Sequence, residues 1–141
     1  MSSPALSQET RLLVGPDAAG SPDLPAIQQA MLDYALGWYG GDQEQMRRAL
    51  HPALAKRAIL PAETGAMELS EYPAEALIAR VTKNQPTDFD QAATKKTVTV
   101  FAVHGNIATG LLEMDDWTDF MHILKVDGTW QVINILWEPN E

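Results

Sequence analysis

The sequence contains no cysteine and few basic residues. The absence of cysteine excludes disulfide bridges, thiolate nucleophiles, zinc–thiolate sites and iron–sulfur clusters. Lys and Arg together number 10 against 19 for Asp and Glu, which gives a formal net charge of −9 at pH 7. Because such an acidic chain repels phosphate groups, we expect neither nucleic acid nor a membrane surface as its partner.

Long hydrophobic runs are missing as well. The apolar runs are far shorter than the roughly 18 residues of a membrane-spanning helix, and the first residues lack the basic and apolar regions of a signal peptide. We therefore expect a cytoplasmic protein. What the sequence does contain is 141 residues, 45% of them hydrophobic, which is enough for one domain with a core.

The first 22 residues are rich in Ser, Ala, Gly and Pro and predict a flexible N-terminal arm, followed by a single domain over residues 23–141. An alternative is that residues 11–14 add a strand or lid. Apolar side chains then recur at helical spacing from 27 to 38, and the glycine pair at 40–41 is expected to end this helix. A second helix should start at Asp42, followed by an extended piece at 54–60 and a third helix within 69–81.

The second half of the chain alternates apolar and polar residues. It predicts four antiparallel strands at 97–104, 107–114, 117–126 and 129–137, joined by two-residue turns. Asp127-Gly128 is the strongest turn signal, because a type I′ hairpin turn needs positive φ at both central residues. Helices followed by such a meander predict an α+β domain, with the helices packed on one face of a single curved sheet.

Two-residue turns also fix the register, and therefore which side chains share a face of the sheet. Phe101, Asp119, Met121 and Asn134 are expected on one face, where the small residues at 108 and 110 leave volume for a helix or a cavity. A mostly apolar cavity with a few polar groups is typical of a small-molecule site. Since the opposite face is also apolar, we expect a homodimer through one sheet face.

Three segments carry a resemblance to known proteins. They are YALGWY at 34–39 followed by Gly-Asp, LHP at 50–52 followed by Lys-Arg, and WTDFMHILK at 117–125 followed by Asp-Gly and WQVIN. They resemble the nuclear-transport-factor-2-like superfamily, and within it the group described as putative lumazine-binding proteins, over roughly residues 24–138.

The resemblance implies a cone-shaped, strongly bent antiparallel sheet with three N-terminal helices that enclose a pocket, usually in a dimer. Relatives on this fold include a ketosteroid isomerase, a dehydratase and polyketide cyclases, which place an Asp or an Asp–His pair in the pocket. Many other relatives only bind or assemble, so the fold by itself does not determine the function.

Asp119 is the leading catalytic candidate. An apolar pocket disfavours the ionised carboxylate, which raises its pKa toward the range useful for proton transfer. Its alternative role is to bond backbone or Lys125 and order a strand. His51 is the second candidate, as a general base, although a cap at the end of a helix is the commoner role for such a histidine. His122 is expected on the opposite face from Asp119.

The ligand-binding candidates are Tyr34, Trp38, Phe101, Met121 and Asn134. Tyr34 and Trp38 could stack on a flat ligand, although aromatic residues at helical spacing are more often core. Asn134 needs a hydrogen-bond partner if it is buried. The neighbouring basic pair at 56–57 could clamp an anionic group, but we expect it to be solvated.

Three functions follow from these patterns. The first is binding of a small apolar or planar ligand, up to the size of a steroid. The second is a cofactor-independent isomerase, dehydratase or cyclase-type enzyme in which Asp119 transfers a proton. The third is a structural dimer whose pocket is filled by its own side chains. None of the three needs a metal or an organic cofactor.

Overall fold

The computed structural model describes residues 10–81 and 95–140. Within these residues, three helices and seven strands form one α+β unit, which confirms the predicted class. In chain order the elements are β1 (Thr10–Asp17), α1 (Leu24–Gly40), α2 (Gln43–Ala49), β2 (Leu50–Pro61), β3 (Met67–Pro73), α3 (Ala74–Arg80), β4 (Lys96–His104), β5 (Ile107–Met114), β6 (Trp117–Val126) and β7 (Thr129–Pro139). No helix in the described residues is long and apolar enough to cross a membrane.

The strands form one sheet in the order β1-β4-β5-β6-β7-β2-β3. Strands β4 to β7 are the predicted antiparallel meander, and the turn between β6 and β7 has positive φ at Asp127 (53°) and Gly128 (81°), as expected. The prediction of an antiparallel sheet is wrong at two places, because β1 runs parallel to β4 and β2 runs parallel to β7. Both pairs join strands that are far apart in sequence, so no tight hairpin constrains their direction.

The N-terminal half differs from its prediction in two segments. Strand β1 pairs along β4, for example Leu12 with Val98, so these residues form the alternative strand rather than a flexible arm. Residues 1–9 of the predicted arm lie outside the described residues, and the domain boundary at residue 22 stays a prediction. The third helix begins only at Ala74, because the preceding residues pair with β2, for example Leu69 with Ile59.

Two register shifts decide which side chains point toward the helices, on the side of the sheet that we call the inner face. In the first, the extra residue lies on β4, between Val100 and Ala102. In the second, the extra residue lies on β7, opposite the step from His122 to Ile123 on β6. Each inserts one extra residue, which reverses the alternation beyond it. The expectation that Phe101 and Asn134 share a face with Asp119 is therefore wrong. Phe101 is 39% exposed on the outer face, where Asn134 pairs with His122.

A side chain of helix α1 fills the inner face beside Gly110. A Cβ atom added at Gly110 would lie 2.8 Å from Met31 Cε and 2.8 Å from the Thr99 carbonyl oxygen. Met31 of α1 thus occupies the volume that the missing side chain leaves, and Met121 is fully packed beside it in the core. Of the two outcomes expected at the small residues, a helix or a cavity, the structure shows the helix at Gly110.

Candidate functional site

Strand β6 places Asp119 on the inner face of the sheet, where it is 1% exposed. Its ladder neighbours are Leu112 on β5 and Trp137 on β7. Among the described residues, Oδ1 of Asp119 has no hydrogen-bond partner. The alternative of a bond to Lys125 is not what the structure shows, because Lys125 Nζ lies 3.4 Å from the carboxylate of Asp23.

Burial raises the pKa of Asp119 from 3.8 to about 6, and the positive charge of Lys56 offsets part of that rise. A buried carboxyl group pays for desolvation when it ionises, so its neutral form is favoured. With a pKa near neutrality, this group can both accept and return a proton under physiological conditions.

Lys56 lies inside the protein rather than in solvent, and it is the main residue that the sequence interpretation missed. It is 9% exposed, and its Nζ donates a hydrogen bond to the Tyr34 hydroxyl at 2.6 Å. The ammonium group also lies 5.3, 5.4 and 5.1 Å from the ring centroids of Tyr34, Trp38 and Trp137. Such aromatic faces attract a cation and compensate part of its lost hydration.

The alternation of β2 explains this placement. Leu54 and Ala58 are buried two residues to either side of Lys56, so position 56 points inward with them. Arg57 points outward, where it forms an exposed ion pair with Glu71 at 3.0 Å. The expectation of a solvated basic pair is therefore correct for Arg57 and wrong for Lys56.

The charges around Lys56 act on one another. Burial lowers the pKa of Lys56, the carboxylate of Asp119 raises it again, and Arg80 lowers it further. Burial also raises the pKa of Tyr34 well above its usual value, with a further contribution from Asp119. Tyr34 is therefore a neutral phenol that accepts a hydrogen bond from Lys56 and still carries its own proton.

A cavity of ≈ 240 Å³ opens beside Lys56, between the C-terminal part of α1, strands β2 and β3, and α3. Its lining residues are Trp38, Lys56, Leu60, Ser70, Tyr72, Leu77, Arg80, Trp117 and Trp137. The indole Nε1 of Trp137 is buried and has no hydrogen-bond partner among the described residues. Asp119 is not a lining residue itself, although its ladder neighbour Trp137 and its charge partner Lys56 both are.

The other predicted site residues lie elsewhere. His51 Nδ1 accepts a hydrogen bond from the backbone N–H of Ala53 at 3.0 Å, a contact inside its own turn. Asn134 is hydrogen-bonded to His122 on the outer face at 3.2 Å. Of the five ligand-binding candidates, Trp38 lines the cavity and Tyr34 reaches it through Lys56. The roles assigned to all these residues stay predictions.

Most of the cavity residues that the sequence analysis did not single out are aromatic or basic. Arg80 lies over the ring of Tyr72 at 5.1 Å, and its hydrogen bond lowers the pKa of that phenol. Trp117 and Trp137 pack edge to face, with their ring centroids 5.7 Å apart.

In the described residues no cluster of three His, Asp or Glu side chains could hold a metal ion. The expectation that no metal or cofactor is needed stays a prediction.

Two solved structures with similar folds illustrate the likeness. A nuclear-transport-factor-2-like protein of unknown function from Methylobacillus flagellatus KT has a TM-score of 0.68 at 18% identity, over 87% of this chain and 97% of that chain. One from Shewanella baltica OS155, also of unknown function, has a TM-score of 0.66 at 20% identity, over 83% and 93%. Both confirm the predicted type of fold.

An enzyme is also among the structural neighbours. A hexachlorocyclohexane dehydrochlorinase from Novosphingobium barchaimii LL02 has a TM-score of 0.58 at 13% identity, over 83% of this chain and 86% of that chain. At such identities only the fold is shared. No curated protein matches the chain, whereas a family model described as "Putative lumazine-binding" matches residues 22–138.

Proposed function

Because the chain belongs to the family described as putative lumazine-binding proteins, with the nuclear-transport-factor-2-like fold, we propose that it binds a small planar molecule in the cavity beside Lys56. The cavity is the observation that carries this proposal, because it opens beside a buried lysine and several aromatic side chains. An open cavity favours ligand binding over a structural dimer with a filled pocket.

The size of the cavity limits the ligand. The volume of the cavity is ≈ 240 Å³. Pockets that bind drug-sized ligands usually measure about 300–1,000 Å³, so this cavity lies just below that range. The expected ligand is therefore a molecule of one or two rings, and a steroid is too large for the cavity as it stands.

The lining indicates the chemistry of the ligand. Four aromatic side chains, Trp38, Tyr72, Trp117 and Trp137, offer faces or edges for a flat ring. Lys56, Arg80 and the indole N–H of Trp137, which has no partner in the described part of the chain, are hydrogen-bond donors. A flat ring that carries carbonyl or anionic oxygens satisfies both features, and lumazine, the pteridine in the family description, is such a molecule.

Lumazine is therefore the first probe. We expect it to quench the tryptophan fluorescence of the protein, because three indoles line the cavity. Lys56→Met should weaken lumazine binding about tenfold, which corresponds to about 1.4 kcal/mol. The matched control is Arg57→Met, one residue further along β2 and on the outer face. Equal losses in both variants, or no quenching of the wild-type protein, would contradict the proposal.

The natural ligand can be sought directly. Native mass spectrometry of the protein purified from its own host should show a retained small molecule, and lumazine should displace it. A retained molecule that lumazine does not displace would place binding outside this cavity.

A proton-transfer enzyme is the second candidate, and Asp119 supports it. This carboxyl group combines a pKa of about 6 with an oxygen that has no partner in the described residues. Wild-type protein in D₂O should then exchange the α-protons of a small ring ketone such as cyclohexanone, as seen by NMR. Asp119→Asn should abolish this exchange and leave lumazine affinity nearly intact. Unchanged exchange would remove Asp119 from the reaction.

The outer face supports the predicted homodimer. Phe120 and Leu136 are ladder partners that are 55% and 57% exposed, and they line one shallow groove with Ile59. Contiguous exposed apolar residues of this kind favour association between copies of a chain. The cytoplasmic location stays a prediction.

A further inference from the structure

A buried lysine on the wall of an open cavity is a chemical group as well as a binding group. We propose that Lys56 is a nucleophilic amine that captures an aldehyde or ketone as an imine in this cavity. The inference rests on the proposed binding function and adds the chemical class of the ligand, a small carbonyl compound.

The geometry of Lys56 holds its amine ready for reaction. Its side chain enters from β2 between two buried positions, and Nζ is fixed by the Tyr34 hydroxyl at 2.6 Å and by three flanking rings. The amine is therefore positioned at the wall of the space that a ligand would occupy. Holding a nucleophile and its target in one small space removes much of the entropic cost of their encounter.

The surroundings favour the neutral, nucleophilic amine. Burial away from water and the neighbouring Arg80 both disfavour the ammonium form, while Asp119 acts in the opposite direction and leaves the net pKa lowered. A lysine that is desolvated or lies near another cation is the usual form of an imine-forming lysine. The titratable and charged groups that act on it are thus Tyr34, Arg80 and Asp119.

The reaction balances without any further reagent. The lone pair of neutral Nζ attacks the carbonyl carbon, and a C–N bond forms as the carbonyl oxygen takes up the electron pair and a proton. The nitrogen then loses one proton, and the new hydroxyl group takes up a second proton from the surrounding water. The nitrogen lone pair forms the C=N bond as the C–O bond breaks, so water leaves and the protonated imine remains. The neutral phenol of Tyr34, hydrogen-bonded to Nζ, is within reach to pass protons between nitrogen and oxygen.

Reductive trapping tests the proposal on the full-length wild-type protein. Benzaldehyde, a one-ring aldehyde that suits the cavity volume, is added at neutral pH together with cyanoborohydride, which reduces an imine to a stable amine. We expect the mass to increase by one benzyl group, and peptide mapping to locate this group on Lys56. Labelling of Lys56 should exceed that of the other lysines at least about tenfold, because an amine that is desolvated beside another cation is more often neutral and nucleophilic.

Other lysines and a competing ligand supply the controls. Lys96 is fully buried but does not line the cavity, and Lys125 is half-buried beside Asp23, so both should be labelled slowly. Lumazine should protect Lys56, and Lys56→Met should lose the rapid phase. Uniform labelling of all lysines, or labelling of Lys56 that lumazine does not slow, would overturn the proposal.

The same experiment separates this inference from the proposed function. If lumazine quenches the tryptophan fluorescence but benzaldehyde leaves no trapped product on Lys56, imine formation is wrong while ligand binding stands. If lumazine does not bind and Lys56 is not labelled, both are wrong. Because trapping is measured on the wild-type protein, the result does not depend on whether Lys56→Met folds.

Discussion

Each face of the sheet carries exceptions to the usual distribution of polar and apolar side chains. The inner face buries the carboxyl group of Asp119 and the amine of Lys56, whereas the outer face exposes Phe120, Leu136 and Ile59 to solvent. A protein selected only for stability would place apolar groups inside and charges outside. Departures of this kind are expected at functional sites, which supports the proposed ligand site on the inner face and the proposed association through the outer face.

The largest effect should come from removal of the buried carboxyl group. Asp119→Asn is expected to raise the free energy of unfolding at pH 7 and above, because the variant no longer ionises a desolvated group. The difference between a pKa of 3.8 and about 6 corresponds to about 3 kcal/mol, at about 1.4 kcal/mol for each unit. Urea unfolding at a series of pH values measures this effect.

The sign of the pH dependence follows from proton linkage. Folded protein binds the Asp119 proton more tightly than unfolded protein, so this contribution to stability is complete below about pH 4 and is lost as the pH rises through about 6. The advantage of the variant should therefore vanish at pH 4. Glu113→Gln, at an exposed position of β5, is the control and should change stability by less than about 0.5 kcal/mol. A pH-independent difference would contradict the assignment.

A somewhat smaller effect is expected where α1 touches the inner face. Gly110→Ala should destabilise the protein by about 1–3 kcal/mol, because its new Cβ would meet Met31 and the Thr99 carbonyl oxygen at 2.8 Å. Thr109→Ala, the adjacent outward-facing change, should stay within about 0.5 kcal/mol. Thermal unfolding compares the two, and equal effects would show that the inner face can relax around a methyl group.

Most of the fold could be predicted from local patterns. The meander follows from alternation and turn residues, and α1 and α2 follow from helical spacing and from Asp42, whose side chain accepts the Gln45 N–H as a cap. The parallel pairings of β1 and β2 could not be predicted, because they join distant segments and leave no local signal. The two register shifts were equally invisible, and they moved Phe101 and Asn134 to the outer face.

The candidate site was only partly predictable. Asp119 could be placed inside because it alternates with Met121 and Ile123 on β6, and the extra residue of the register shift at this point lies on β7. Lys56 follows the same alternation on β2, so the signal existed, but the general expectation that lysine is solvated outweighed it. The cavity itself depends on how β3 and α3 pack beside β2, which one sequence does not reveal.

Association through the outer face should be sensitive to a single charge. Phe120→Glu places a carboxylate in the exposed apolar groove, next to Leu136. If two copies meet there, the dimer dissociation constant should increase at least about tenfold, or about 1.4 kcal/mol. Light scattering over a range of concentrations measures it, with Glu138→Gln at the rim as the control. A wild-type protein that is monomeric at high concentration would contradict the dimer.

The smallest effect should come from the basic residue next to Lys56. Arg57 and Glu71 form an ion pair at 3.0 Å, but their side chains are 45% and 52% exposed. Water and salt screen such a pair, so Arg57→Gln should change the free energy of unfolding by less than about 1 kcal/mol, and less still at high salt. Urea unfolding at two salt concentrations checks this. A loss of stability as large as that of Gly110→Ala would contradict the comparison between the two faces. The exposed charge of Arg57 would then stabilise the sheet as strongly as the packed interior does.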